Sequence, residues 1–153
     1  MTRSRARQIA LQISFAASSS QQEPSELCDE ILTEEYFARL SEEDDIFKEN
    51  PGAQESYIRQ LTALVAEHRE QMDNIISSYS SSWKIHRISP MTKEILRCAI
   101  CEILYVEDVP ESVAINEAVE LTKRFAEEDS GSFVNGILGK YVKDMKEQSK
   151  SDE

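Results

Sequence analysis

The sequence predicts an all-α fold of about six to seven helices. Three observations carry that expectation. Apolar residues recur at steps of three and four through most of the 153 residues. No stretch alternates apolar and polar residues as a half-buried strand would. Glycine and proline, the main breakers of regular structure, number only four each.

The first helix is expected over about 3–18, where Ala6, Ile9, Ala10, Ile13 and Ala17 share a face and Ser18–Ser20 end the pattern. Pro24 opens a second over 25–40, with Leu27, Cys28, Ile31, Leu32 and Tyr36 as its stripe. The polar segment 41–52, containing Pro51-Gly52, reads as a loop. A third, long helix runs from Tyr57 through Leu61, Leu64, Val65, His68, Met72, Ile75 and Ile76 to Tyr79. The serine-rich SSYSSS at its end suggests a hinge. On that basis the chain divides into an N-terminal sub-bundle over 1–80 and a C-terminal one over 81–147, with 148–153 as a polar tail expected to fray. Ser89 and Pro90 match an N-cap and first helical position, where the missing proline N–H has no intrahelical partner to lose. The fourth helix, about 90–106, places Met91, Ile95, Leu96, Ala99, Ile103 and Leu104 inward. Pro110 precedes a fifth over 112–126, and Asp129-Ser130 a sixth over 131–147 with Phe133, Val134, Ile137, Leu138, Tyr141, Val142 and Met145.

No apolar run is long enough to span a bilayer, and no apolar region follows the N-terminal arginines as a secretory signal requires. Three cysteines cannot all pair, so reduced thiols in a cytoplasmic setting are expected. Seventeen basic against 29 acidic residues give a net charge of -12, which excludes a generic nucleic-acid coat. The charges are nevertheless segregated. Arg3, Arg5 and Arg7 occupy an acid-free start, residues 23–55 are strongly acidic, and Lys84, Arg87, Lys93 and Arg97 form a second basic island. Were the two islands to meet, they would make one small anion site.

Little supports catalysis. Cys98-x-x-Cys101 lacks the paired ligands of a structural zinc site and the βαβ setting of a redox motif, so both thiols are expected to pack in a buried helix. His68 continues an apolar stripe, and His86 sits in a basic linker. No serine-nucleophile, phosphate-loop or dinucleotide fingerprint is present. Neither enzyme activity nor a cofactor is expected. The arginine-rich start is more informative, because cations on a helix's first turn oppose its dipole, a cost that an anionic ligand would offset.

Several segments together resemble the NusB family of transcription antitermination factors: Arg5–Phe15 (RARQIALQISF), Trp83–Ile88 (WKIHRI), Ile95–Glu102 (ILRCAICE), Val109–Phe125 and Glu128–Leu138 (EDSGSFVNGIL). The similarity spans about 3–142 and is strongest over 83–142. It implies two small helical bundles packed at a steep angle and no catalysis. It further implies pairing with the ribosomal protein NusE, binding of boxA-like single-stranded RNA in nascent ribosomal RNA, and entry into the RNA polymerase antitermination complex. By position, Arg3, Arg5, Arg7, Phe15, Asp129 and Phe133 would face RNA, and Glu102 the NusE contact. Three residues depart from the family pattern: Phe15 for a common tyrosine, Cys101 for a tyrosine before the glutamate, and Thr92 for an acid. With so few cations near the start, NusE is expected to be needed for tight RNA binding. Two alternatives remain: a helical interaction module without RNA binding, and an RNA-recognition module related to ribosomal RNA cytosine methyltransferases. Periodicity does not distinguish a bundle core from a homodimer seam.

Overall fold

A computed structural model describes residues 1–43, 54–80, 88–127 and 129–151. These residues form eight helices and no strand. The all-α expectation holds, with more and shorter elements than the periodicity implied. The chain divides into two compact units, Met1–Glu67 and His68–Glu153.

The first unit comprises α1 (Arg3–Ser20), α2 (Pro24–Ile31), α3 (Glu34–Glu43) and α4 (Glu55–Glu67). Thr2 caps α1, its hydroxyl accepting from the Arg5 N–H at 3.1 Å. Gln21 ends the helix in the left-handed region (φ 56°) and donates its N–H to the Ala17 carbonyl. Six consecutive residues, Ala6 to Leu11, are buried, so α1 is a central helix rather than an amphipathic surface one. It packs against α2 and α4, and those two pack on each other. Ile9, Ile13, Ile58, Leu61 and Val65 supply the core, with the Cys28 thiol 3.6 Å from the Thr62 hydroxyl. The helix expected over 25–40 is broken at Leu32-Thr33, because the Thr33 hydroxyl accepts from the Tyr36 N–H and starts α3. Residues 41–43 belong to α3, whereas the rest of the expected loop lies outside the described residues.

The second unit comprises α5 (Arg69–Tyr79), α6 (Pro90–Tyr105), α7 (Glu111–Phe125) and α8 (Ser130–Ser151). The long third helix of the sequence reading is therefore two helices. His68, at φ -105° and ψ 19°, leaves helical geometry between them. The unit boundary falls there, at Glu67/His68, and not after residue 80, because α5 packs on α6 and α8. α6 is the axis of this unit and touches α5, α7 and α8. Ser89 caps it, its hydroxyl accepting from the Thr92 N–H at 3.1 Å, and Pro90 sits in its first turn, as expected. Met72, Ile76, Ile95, Leu96, Ile100, Val134 and Leu138 fill the core. α8 continues as helix to Ser151, into the 148–153 tail expected to fray. Its last turns are rich in Lys, Met, Glu and Gln, which hold helix without an apolar stripe. Among the described residues, no helix is long and apolar enough to cross a membrane.

Candidate nucleic-acid interface

The arginine-rich start lies on the first turn and a half of α1, and its three members differ sharply. Arg3 is exposed, with its guanidinium carbon 4.0 Å from the centre of the Tyr57 ring. Arg3 and Tyr57 thus form a cation–π pair that fixes a charge at the surface. Arg5 is half-buried, and Arg7 is only 6% exposed. Arg3 and Arg7 stand four residues apart, a spacing that puts both on one side of a helix. Arg7 instead falls in the buried run of the central helix. Phe15, two turns further along, is half-buried, and its carbonyl accepts from the Ser19 hydroxyl at 2.9 Å.

In the second unit, Asp129 is exposed just ahead of α8, its carbonyl accepting from the Ser132 hydroxyl at 3.2 Å. Phe133 follows in the first turn of α8 and is half-buried. Ile137 and Tyr141 on the same helix are buried, so Phe133 marks where the apolar stripe reaches solvent. Glu102 is 3% exposed within α6 and offers no open carboxylate at the surface. Thr92 and Cys101, two of the departures from the family pattern, are fully buried as well.

Within the second basic island, Arg97 is already paired inside the protein. Arg97 is 8% exposed, and its guanidinium donates to Asp73 at 2.6 and 3.1 Å and to Glu94 at 2.8 Å. Arg69 approaches the same Glu94 carboxylate at 3.5 Å. Burial works against the Arg97 charge, but the Asp73 hydrogen bonds and the adjacent Glu94 more than restore it, and its pKa is raised. Glu94 is 1% exposed, so this network is internal to the unit. Lys93 is half-buried, while Lys84, His86 and Arg87 lie outside the described residues with Trp83 and Ile85.

Both cysteines of the C-x-x-C pair are buried, and neither is in a disulfide. Desolvation, and secondarily Glu94, pushes the Cys101 thiol up to about 12, which makes it inert at neutral pH. Among the described residues, no group of three or more His, Cys, Asp or Glu side chains is placed to hold a metal ion. His68 is stacked on Tyr105 at 4.4 Å, and the Tyr105 hydroxyl donates to Gln71 at 3.0 Å. The sequence reading missed the Arg3–Tyr57 pair and the Asp73 end of the Arg97 network. The only local signal for either was the i, i+3 spacing of Glu94 and Arg97.

A sequence model described as the NusB family matches residues 4–143. The chain belongs to the NusB family. Among its relatives is the transcription antitermination protein NusB of Symbiobacterium thermophilum, 38% identical over all of this chain and 97% of that one. The NusB of Oceanobacillus iheyensis is 35% identical over 93% of this chain and 99% of its own. Among solved structures, T. maritima NusB superposes with a TM-score of 0.76 at 30% identity, covering 94% of this chain and 92% of that one. A chain from the crystal structure of antitermination factors NusB and NusE in complex with dsRNA gives a TM-score of 0.68 at 27% identity, covering 94% and 98%.

Proposed function

We propose that this chain is an RNA-binding transcription antitermination factor that pairs with the ribosomal protein NusE in the cytoplasm. Its RNA is a boxA-type element in nascent ribosomal RNA transcripts, and the pair joins the antitermination complex on RNA polymerase. The observation that carries this reading is the likeness, over 94% of the chain, to a protein solved together with NusE and RNA.

The chemistry of the exposed groups supports it. Arg3, held on Tyr57, and the half-buried Arg5 supply phosphate contacts at the start of α1. The half-buried Phe133 ring offers a stacking surface for an unpaired base, worth roughly 1–3 kcal/mol per base. Asp129 and Phe15 flank these positions in the sequence pattern as acceptor and apolar contact. Arg7 and Glu102 are too buried to touch a ligand directly, so they act by fixing the helices that carry the contacts. A net charge of -12 limits RNA affinity of the chain alone, and a basic ribosomal partner would supply the missing cationic surface.

A gel-shift titration of boxA-like RNA over a salt series, with and without purified NusE, tests this. Specific binding that weakens with salt, strengthens with NusE and drops in Phe133→Ala is the expected result. A single strand should bind better than a duplex of the same sequence, because stacking on Phe133 needs an unpaired base. Equal affinity for scrambled and boxA-like RNA, with NusE present, would overturn it and leave a helical interaction module.

A further inference from the structure

Among the described residues of the second unit, the last helix carries the largest block of unpaired positive charge. Lys140, Lys143, Lys146 and Lys150 are all exposed on α8. At 3.6 residues per turn, the last three fall within an arc of about 60°, and all four within about 120°. None makes an ion pair among the described residues; Lys140 only approaches the Tyr79 ring, at 6.0 Å. Of the two acids in this part of α8, Asp144 is turned to the Tyr79 hydroxyl at 2.7 Å, leaving Glu147 as the one carboxylate within the arc. Toward the N-terminus the same arc holds Ser132, Gly136 and Gly139, all exposed, with open space around both glycines. Phe133 lies at the near end of this helix, roughly 25 Å along the axis from Lys150. In a chain of net charge -12, such a face is out of proportion to the rest of the molecule.

We propose that the exposed lysine face of α8 is a phosphate track that holds single-stranded RNA flanking the segment bound at Phe133. The inference rests on the RNA-binding reading above and extends it. Recognition here is electrostatic and sequence-independent: flexible ammonium groups track phosphates, and the small residues before Lys140 leave room for the strand to approach the helix. The track therefore lengthens the footprint without adding base specificity.

The experiment compares wild type with Lys143→Gln/Lys146→Gln/Lys150→Gln, each with NusE present. Two RNAs are used: a minimal boxA RNA, and the same RNA extended by unstructured flanks on one or both sides. Wild type should bind the extended RNA more tightly. The triple variant should lose that advantage and keep its affinity for the minimal RNA. The slope of log K against log salt on the extended RNA should fall by about 2, at about 0.7 per lost contact. Equal binding of both RNAs by wild type would overturn the track while leaving the boxA reading intact. So would a variant that weakens both RNAs alike, which would mean diffuse charge, or one that loses only binding to a protein partner. Failure of wild type to bind any RNA would instead bring down the functional reading and the track with it.

Discussion

Two clusters of cations look equivalent in the sequence and are opposites in the structure. At the start of α1, Arg3 stands at the surface on an aromatic ring, with no acid among residues 1–22. On α6, Arg97 is enclosed by Asp73 and Glu94, with Arg69 closing the network from α5. The first leaves its charge at the surface, and the second holds α5 to α6. A cation is available for recognition only if the fold brings it no carboxylate, and the carboxylate that decides this for Arg97 is 24 residues away in the chain.

The strongest way to break the comparison is to remove Arg97. Arg97→Ala takes from the buried Glu94 its 2.8 Å partner, and the second unit should lose about 3 kcal/mol, toward the lower end for a broken buried pair. Urea unfolding measures it. Adding Glu94→Gln to Arg97→Met should recover most of the loss, since the cost lies in the stranded charge. Cys101 provides a second reading of the same event. Its thiol, pushed up to about 12 by burial first and Glu94 second, should resist alkylation at pH 8 in wild type and react faster in Arg97→Ala as the unit opens. Unchanged stability and alkylation would mean that the network does not hold α5 and α6 together.

At the other cluster the signs reverse. Arg3→Ala/Arg5→Ala should leave unfolding free energy within about 1 kcal/mol of wild type, because an exposed cation–π pair contributes no more than that. Affinity for boxA-like RNA should nevertheless drop about tenfold, with a salt slope smaller by about 1.4, or about 0.7 per phosphate contact. If the double variant lost stability and kept its RNA affinity, the two clusters would be alike after all.

Most of the fold was legible because burial writes a 3.6-residue period into the chain. What escaped was punctuation. His68 continues the apolar stripe from Val65 to Met72, so nothing in the residue types marks the break between α4 and α5. Thr33 did carry a signal, a threonine followed by two acids, but it sits inside an otherwise continuous pattern. The end of α8 was misread for the opposite reason: the stripe stops while helix-forming side chains continue. Ser89-Pro90 was read correctly because capping is local. The interface divides along the same line. Arginine count and the position of Phe133 are sequence properties, whereas the burial of Arg7 and Glu102 depends on how each helix is surrounded.

Tyr79 and Asp144 give the smallest effect and a calibration for the rest. Their 2.7 Å hydrogen bond joins α5 to α8 as the Arg97 network joins α5 to α6, but in a more solvent-facing place. Tyr79→Phe should therefore cost about 1 kcal/mol, well below the Arg97 variant. The pH dependence has a definite sign. The hydrogen bond to Asp144, with burial and the Asp144 charge behind it, pushes the Tyr79 hydroxyl up to about 12 from its ordinary 10.0. The unfolded chain thus releases this proton first. The stabilisation is complete below pH 10, falls as pH rises from 10 toward 12, and is gone above the folded value. Alkaline unfolding curves of wild type and Tyr79→Phe should accordingly converge over that interval. Curves that stay parallel would show that the aromatic contact with Tyr141, and not the hydroxyl, is what ties α5 to α8.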